Sequence, residues 1–424
     1  MKTKRLLSIY LLVAVFLLSS VAIAKAQNGD DIDFYTISGV VKDKNTKKAI
    51  EYVNVAAIGT NVGTITNEDG EFTLKVNKAL NSKEIQLSCL GYYNALITTA
   101  NIGNGAQTFL MTPESFVLSE VQVFSWRHPR DLVRAAIDKI GDNYEMRPNM
   151  LTGFYRETIQ KRRNYINISE AVIEVYKDAY NRSSNRDQVK ILKGRKLISP
   201  KKADTLSVKF LGGPNMPIFL DIIKNPEILL DEESLMNYSF TMGEATSIDD
   251  RMQFCVHFEP MVILPYPLYS GTLYIDRATL SFTRAQFRLD ASDKQKVTTA
   301  ILKEKPAGLR FTPEEVLYLV TYKQQGDKTY LNYIRNEIKF KCDWKRKLFA
   351  TNYAVTAETV ITDRNDQNAS RIPGKETFSI RQSLSQEVSL YQDENFWSSY
   401  NIIEPTESLE NAVNRLRKQN LRTQ

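Results

Sequence analysis

Gly63-Thr64-Ile65-Thr66-Asn67-Glu68-Asp69-Gly70-Glu71-Phe72-Thr73-Leu74-Lys75-Val76 is the stretch that decides the fold. Phe72, Leu74 and Val76 alternate with Thr73 and Lys75, the period-two pattern of a half-buried strand. Asn67 to Gly70 form the turn that precedes it, with a glycine free to take positive φ. The pattern repeats outward. Tyr52-Val53-Asn54-Val55-Ala56-Ala57 places Val53, Val55 and Ala57 on one face. Thr36-Ile37-Ser38-Gly39-Val40-Val41, the run around Ile85, Leu87 and Cys89, Gln107-Thr108-Phe109-Leu110-Met111 and Ser119-Glu120-Val121-Gln122-Val123 supply further strands. Seven or so short strands within about 90 residues, separated by turn clusters, predict a β-sandwich over residues 34–124. The acidic turn Glu68-Asp69-Gly70-Glu71 lacks the ligand spacing of a calcium loop and is read as a hairpin turn.

An ordered set of motifs carries a family resemblance. It comprises Ser38-Gly39-Val40-Val41, Tyr52-Val53-Asn54-Val55, Gly63-Thr64, Asn67-Glu68-Asp69-Gly70-Glu71-Phe72, Leu90-Gly91-Tyr92 and the closing Leu118-Ser119-Glu120-Val121-Gln122-Val123. In combination these resemble the carboxypeptidase-like regulatory domain. The resemblance implies a transthyretin-like sandwich and an exported bacterial protein of the cell envelope. It does not imply peptidase activity.

Pro129 to Gly141 reads as a helix, with proline in its first turn and Leu132, Val133, Ala136, Ile137 and Ile140 on one side. Residues 125–148 are therefore expected to connect and bridge two domains. From 149 to 395 longer alternating strands return, for example Ile334, Ile338 and Phe340 against Arg335, Glu337 and Lys339. That is the signature of an antiparallel sheet with one wetted face. Gly326-Asp327-Lys328 and Lys345-Arg346-Lys347 fall at turns. The fold class expected is mainly β: the sandwich, then a larger antiparallel β domain with a few helices.

One apolar stretch near 214–235 does not alternate and is broken by Pro214, Pro217 and Pro226. It is expected to form short helices. Its Ile218, Phe219, Ile222, Ile223, Leu229 and Leu230 must cover either a filled core or an apolar ligand cavity, which makes them the candidate lid or ligand residues. The phrase Tyr269-Ser270-Gly271-Thr272-Leu273-Tyr274-Ile275-Asp276 in a long antiparallel sheet is similar to the half-barrels of periplasmic lipoprotein-carrier proteins, whose concave face binds acyl chains. Residues 396–424 read as a helical tail. Phe396 and Trp397 anchor it, Thr406 caps a helix, and Leu409, Ala412, Val413 and Leu416 share one face. Its basic end, Arg415, Arg417 and Lys418, suits a helix C-terminus and offers a contact for acidic head groups or a partner.

Residues 1–26 have a basic start, an apolar run from Leu6 and an Ala24-Lys25-Ala26 end, the pattern of a cleaved secretory signal peptide. Four of the positive charges lie there, which leaves +3 of the net +7 on the remainder. A small excess gives no support to nucleic-acid binding. The first cysteine is Cys89, so no cysteine stands at the cleavage site to carry a lipid, and no later run is long enough for a membrane-spanning helix. The expected location is the periplasm or the periphery of the outer membrane. Three cysteines, Cys89, Cys255 and Cys342, do not form a disulfide framework; one Cys255–Cys342 bridge stays open, though no local pattern argues for it.

Chemistry is sparse. The two histidines, His128 and His257, sit in no zinc-peptidase motif, and no phosphate-loop, dinucleotide or nucleophile-elbow pattern occurs. Cys255 and His257 share a strand face, but the strand is apolar and burial explains them. No cofactor, metal or catalytic residue is expected. The function expected is that of an exported non-enzymatic binding or scaffold protein of the envelope, whose partner is an envelope protein or a lipid. The alternatives are a carrier of acyl chains and a hydrolase with an unrecognised carboxylate pair.

Overall fold

The computed structural model describes residues 33–101, 105–114, 128–204, 206, 208–210, 213–344, 349–380, 382–390 and 396–422. The leader at 1–26, the strand expected at 119–123 and the basic triplet at 345–347 lie outside the described residues.

The sandwich consists of β1 (Phe34–Asp43), β2 (Asn54–Ala57), β3 (Gly63–Ile65), β4 (Glu71–Asn77), β5 (Glu84–Ser88), β6 (Ala95–Thr98) and β7 (Gln107–Met111). One sheet runs β4-β1-β7 and the other β3-β2-β5-β6. Between them Ile37, Val41, Val53, Val55, Phe72, Leu74, Val76, Ile85 and Leu87 form one core. The alternation around Phe72 therefore points as the pattern predicts. Gly70 has φ +75°, and a Cβ there would stand 2.6 Å from the Val41 carbonyl oxygen, so glycine is required on both counts.

The larger unit is a twelve-stranded sheet. Its strands are β8 (Asn149–Lys161), β9 (Asn164–Lys177), β10 (Gln188–Ile198), β12 (Tyr238–Met242), β13 (Thr246–Ile248), β14 (Arg251–Pro260), β15 (Tyr269–Asp276), β16 (Phe282–Leu289), β18 (Leu309–Gln325), β19 (Lys328–Trp344), β20 (Thr351–Asn365) and β21 (Ser389–Leu390). A separate short pair joins β11 (Lys209–Phe210) to β17 (Leu302–Glu304). The order is β12-β14-β15-β16-β18-β19-β20-β8-β9-β10-β21, with β13 beside β14. The path is open and antiparallel, except for β10 against β21.

Among the described residues seven α-helices accompany it: α1 (Pro129–Asp138), α2 (Ile140–Asn143), α3 (Met216–Phe219), α4 (Glu232–Leu235), α5 (Lys294–Ile301), α6 (Leu384–Glu387) and α7 (Glu407–Leu421). The inner face of the sheet, with Leu151, Ile173, Val256, Leu273, Phe287 and Val320, shares one core with α1 and α5. Helix α1 departs from expectation twice. It stops at Lys139, and Gly141 lies inside the separate turn α2. Asn143 donates to the Thr279 carbonyl and the Tyr144 hydroxyl to that of Phe282, and these bonds redirect the chain. Nor does α1 bridge the domains, because its buried Leu132, Val133 and Ala136 belong to the core of the large unit alone.

The proline-broken segment forms short helical pieces, as each proline removes a donor and restricts its predecessor. Ile218, Ile222, Ile223, Leu229 and Leu230 are buried in the large core, whereas Phe219 is 37% exposed. Polar anchors hold the segment down. Asp221 accepts from Lys177 at 2.8 Å and from the hydroxyls of Tyr322 at 2.7 Å and Tyr180 at 3.2 Å. Lys224 donates to the Asp178 and Ala179 carbonyls and pairs with Asp187 at 3.5 Å. Ile223→Asp is expected to destabilise by about 4 kcal/mol or more, since it removes a packed side chain and buries a carboxylate without a partner. Phe219→Asp should cost at most about 1–2 kcal/mol. Urea unfolding of the two variants checks the contrast.

The chain end joins the two units. Trp397 packs edge-on against Phe154 of β8, with centroids 5.4 Å apart, and the strap then crosses to the sandwich. Asn401 exchanges bonds with the Lys75 backbone, and Thr64 donates to the Ile402 carbonyl. The acidic turn serves this junction. Asn67 closes it by accepting from the Asp69 and Glu71 amides, Asp69 accepts from the Glu407 amide, and Glu68 pairs with Arg335 of β19 at 2.7 Å. Thr406 then caps α7, whose Leu409, Ala412 and Leu416 pack with Ile168 and Leu197.

Candidate ligand cleft at the domain junction

The outer face of the sheet carries one row, polar at every position but Leu319, set by strand register. His257 stands opposite Thr272, which faces Gln286, then Leu319, Arg335, Glu358, Arg156, Glu170 and Arg195, each on the next strand. The two halves of the row differ.

From Arg335 to Arg195 the charges alternate and every one is paired. Arg335 lies 3.5 Å from Glu358, Glu358 3.6 Å from Arg156, and Glu170 2.8 Å from both Arg156 and Arg195. The strap covers this half: Arg156 donates to the Ile403 and Glu404 carbonyls, and Arg195 lies 4.7 Å from the Trp397 ring. Burial alone would raise the Glu170 carboxyl, but Arg156 and Arg195 on either side outweigh it and hold it below the ordinary carboxylate range.

The other half is open. His257, Thr272, Gln286, Leu319, Arg284 and Arg288 line a cleft of about 570 Å³. Glu51 and Tyr52, in the turn before β2, close it from the sandwich side. Tyr52 has φ +57°, a left-handed conformation that costs a non-glycine residue roughly 1 kcal/mol or more. It is held there by a stacked contact with Tyr333, at 5.6 Å and 26°, and by Arg335 over its ring at 5.5 Å. The β13–β14 turn docks beside it, with Asp250 accepting from the Asn94 amide. A rigid junction thus fixes the cleft walls.

Within the cleft His257 Nδ1 lies 2.8 Å from Thr272 Oγ1, and Arg288 Nε donates to Ser270 Oγ at 3.2 Å. Arg284 differs from both. Among the described residues its guanidinium makes one long bond, 3.5 Å, from Nη2 to the Gln286 side-chain oxygen, and its buried Nε has no partner. An unpaired buried guanidinium donor is costly and is satisfied by an arriving anion. Burial, and then the neighbouring Glu68, push the Glu51 carboxyl above its ordinary value. Lower pH therefore neutralises this wall sooner and makes the cleft more positive.

The Cys255–His257 pair lies at the cleft edge, where both side chains flank Gly243: a Cβ there would stand 2.5 Å from His257 Nε2 and 3.0 Å from Cys255 Sγ. Burial pushes the Cys255 thiol up to about 11, the opposite of nucleophile activation. Cys342 lies in the inner core while Cys255 faces outward, and all three cysteines are free thiols. Among the described residues no group of three or more His, Cys, Asp or Glu side chains converges as a metal site, and no helix is long and apolar enough to cross a membrane. The candidate residues Ile218, Phe219, Ile222, Ile223, Leu229 and Leu230 lie in the proline-broken segment and are not part of this cleft. The cleft residues were not singled out by sequence reading. Their signal is only that of polar outward positions on strands, which many residues share.

Residues 37–123 match the family described as CarboxypepD_reg-like domain, and the N-terminal sandwich is a carboxypeptidase-like regulatory domain. No curated protein matches the chain. Among solved structures, a DUF1329 family protein from Desulfovibrio piger ATCC 29098 is similar at 9% identity, over 55% of this chain and 93% of that one, with a TM-score of 0.23. A protein of unknown function from Bacteroides fragilis NCTC 9343 is similar at 10% identity, over 78% and 98%, with a TM-score of 0.15. A 9R-lipoxygenase from Cyanothece PCC8801 is similar at 10% identity, over 62% and 40%, also with a TM-score of 0.15. At these TM-scores none of the three bears on the function of this chain.

Proposed function

We propose that the chain is an exported, non-enzymatic binding protein of the bacterial envelope, whose junction cleft takes a ligand bearing a carboxylate or phosphate group. The single observation that carries this reading is Arg284, a half-buried cation whose buried Nε has no hydrogen-bond partner among the described residues, in a cleft where the neighbouring Arg335 is already ion-paired. The regulatory-domain fold supports a binding rather than a catalytic role, and the raised Cys255 thiol argues against the one nucleophile pair nearby. The acyl-carrier alternative gains nothing from the proline-broken segment, whose aliphatic side chains fill the core.

Titration of the purified protein with citrate and with inorganic phosphate, followed by calorimetry, tests the reading. Binding should saturate and strengthen as pH falls through the raised Glu51 value. Arg284→Ala should weaken it at least 10-fold, since hydrogen bonds to charged groups are worth about 1.5–3 kcal/mol. The same variant should leave unfolding free energy within about 1 kcal/mol of the parent, because it removes a donor that has no partner. A loss of more than about 3 kcal/mol would make Arg284 a structural cation and sink the proposal.

A further inference from the structure

The end of the sheet at the β8–β9 turn carries a second charged cavity, of about 660 Å³. Four places in the chain build it: the β8–β9 turn, the loop after β10, the residues at the start of β20 and the last turns of α7. Lys161, Arg162, Lys201 and Arg415 line it, against one carboxylate, Asp204. Asp204 is already engaged by Lys161 at 3.1 Å and by the Ser199 hydroxyl at 2.7 Å. Arg415 is held by the Asn164 side chain and the Tyr165 carbonyl. The Arg162 and Lys201 side chains make neither a hydrogen bond nor an ion pair among the described residues. Arg162 has φ +59°, in a turn position that glycine or asparagine would adopt with less strain. At the rim Phe349 is 79% exposed and also lines the cavity, and Leu421, at the end of α7, is 73% exposed. The sequence pattern of α7 accounts for neither the concentration of charge nor these two apolar tips.

We propose that this end of the sheet docks on an anionic lipid membrane, with a lipid phosphate seated among Arg162, Lys201 and Arg415 and with Phe349 and Leu421 entering the headgroup layer. Charge complementarity selects the occupant. The cavity has an excess of three positive charges, and surface cations next to exposed apolar tips are the pairing that holds proteins at an anionic interface. A neutral bilayer or an apolar groove would leave the cations unmatched. Along β20 the cavity and the sandwich contact lie apart: Lys161 pairs with Tyr353 near its start, whereas the sandwich side chain of Asn61 reaches Arg364 near its end.

The test is co-sedimentation of the purified exported protein with vesicles of phosphatidylcholine alone and of phosphatidylcholine with phosphatidylglycerol. Binding is expected only to the anionic vesicles and should fall steeply between low and high salt. The Arg162→Gln, Lys201→Gln double variant should bind about 30-fold more weakly, at roughly fivefold per surface cation. Phe349→Ser should weaken binding with its salt dependence unchanged. Both variants change exposed side chains, and an unchanged melting midpoint confirms that they are folded. Equal binding to neutral vesicles, or a double variant that binds like the parent, would overturn the proposal. So would binding of free inorganic phosphate or of polyglutamate at this cavity in the absence of any vesicle binding.

Discussion

Asp221→Ala is expected to destabilise the protein by about 3–5 kcal/mol, the cost of removing one partner from a buried ion pair. In the native chain Lys177 and Lys224 are matched by Asp187 and Asp221 in a fully buried cluster. Burial alone would lower the Lys177 ammonium, but Asp221 and Asp187 outweigh it and raise it, so it stays charged through the neutral range. Without Asp221 two buried cations share one carboxylate, and the hydroxyls of Tyr180 and Tyr322 lose their acceptor. Removing the excess charge as well, in Lys177→Met with Asp221→Leu, should recover much of the loss, because an apolar pair of similar volume avoids the desolvation cost. Urea unfolding of the three proteins measures this. A single-variant loss under about 1 kcal/mol would show that the cluster is not a closed ion network.

Arg156→Ala should cost a similar amount, about 3–5 kcal/mol, for a second reason. Arg156 lies between Glu170 and Glu358 in the buried half of the polar row and also holds two strap carbonyls. Its removal leaves Glu170 with Arg195 alone and Glu358 with Arg335 alone, in a buried row short of one cation, and frees the strap that ties the sandwich to the sheet. The two units should then unfold in separate steps, which calorimetry resolves. The row also sets an acid limit for the parent. The folded Glu170 value lies below its unfolded one, so its contribution is present above the ordinary carboxylate range and is lost as pH falls through the depressed folded value. Stability measured from pH 7 down to pH 3 should fall accordingly, and less so in Arg156→Ala, where part of the depression is already gone. A parent whose stability is flat across that window would contradict the assignment.

The sequence alone determined which side chains face the sandwich core. Phe72, Leu74 and Val76 alternate with polar neighbours, and a strand has only two faces. It also determined the glycine at 70, the Thr406 cap and the short pieces of the proline-broken segment, because each depends on bonds within a few residues. It did not determine the bend at Lys139, which follows from bonds to Thr279 in the distant β15–β16 turn and to Phe282 of β16. Nor did it indicate that Phe219 faces out while Ile223 faces in. The polar row and its cleft were legible only in the tertiary structure. Arg156, Glu170, Arg195, Arg335 and Glu358 each look like an ordinary solvated strand position, and so do Gln286 and Arg284. Register decides which of them meet, and a slip of one residue would send each to the other face. The strap then decides which half of the row is buried and paired and which remains open to a ligand.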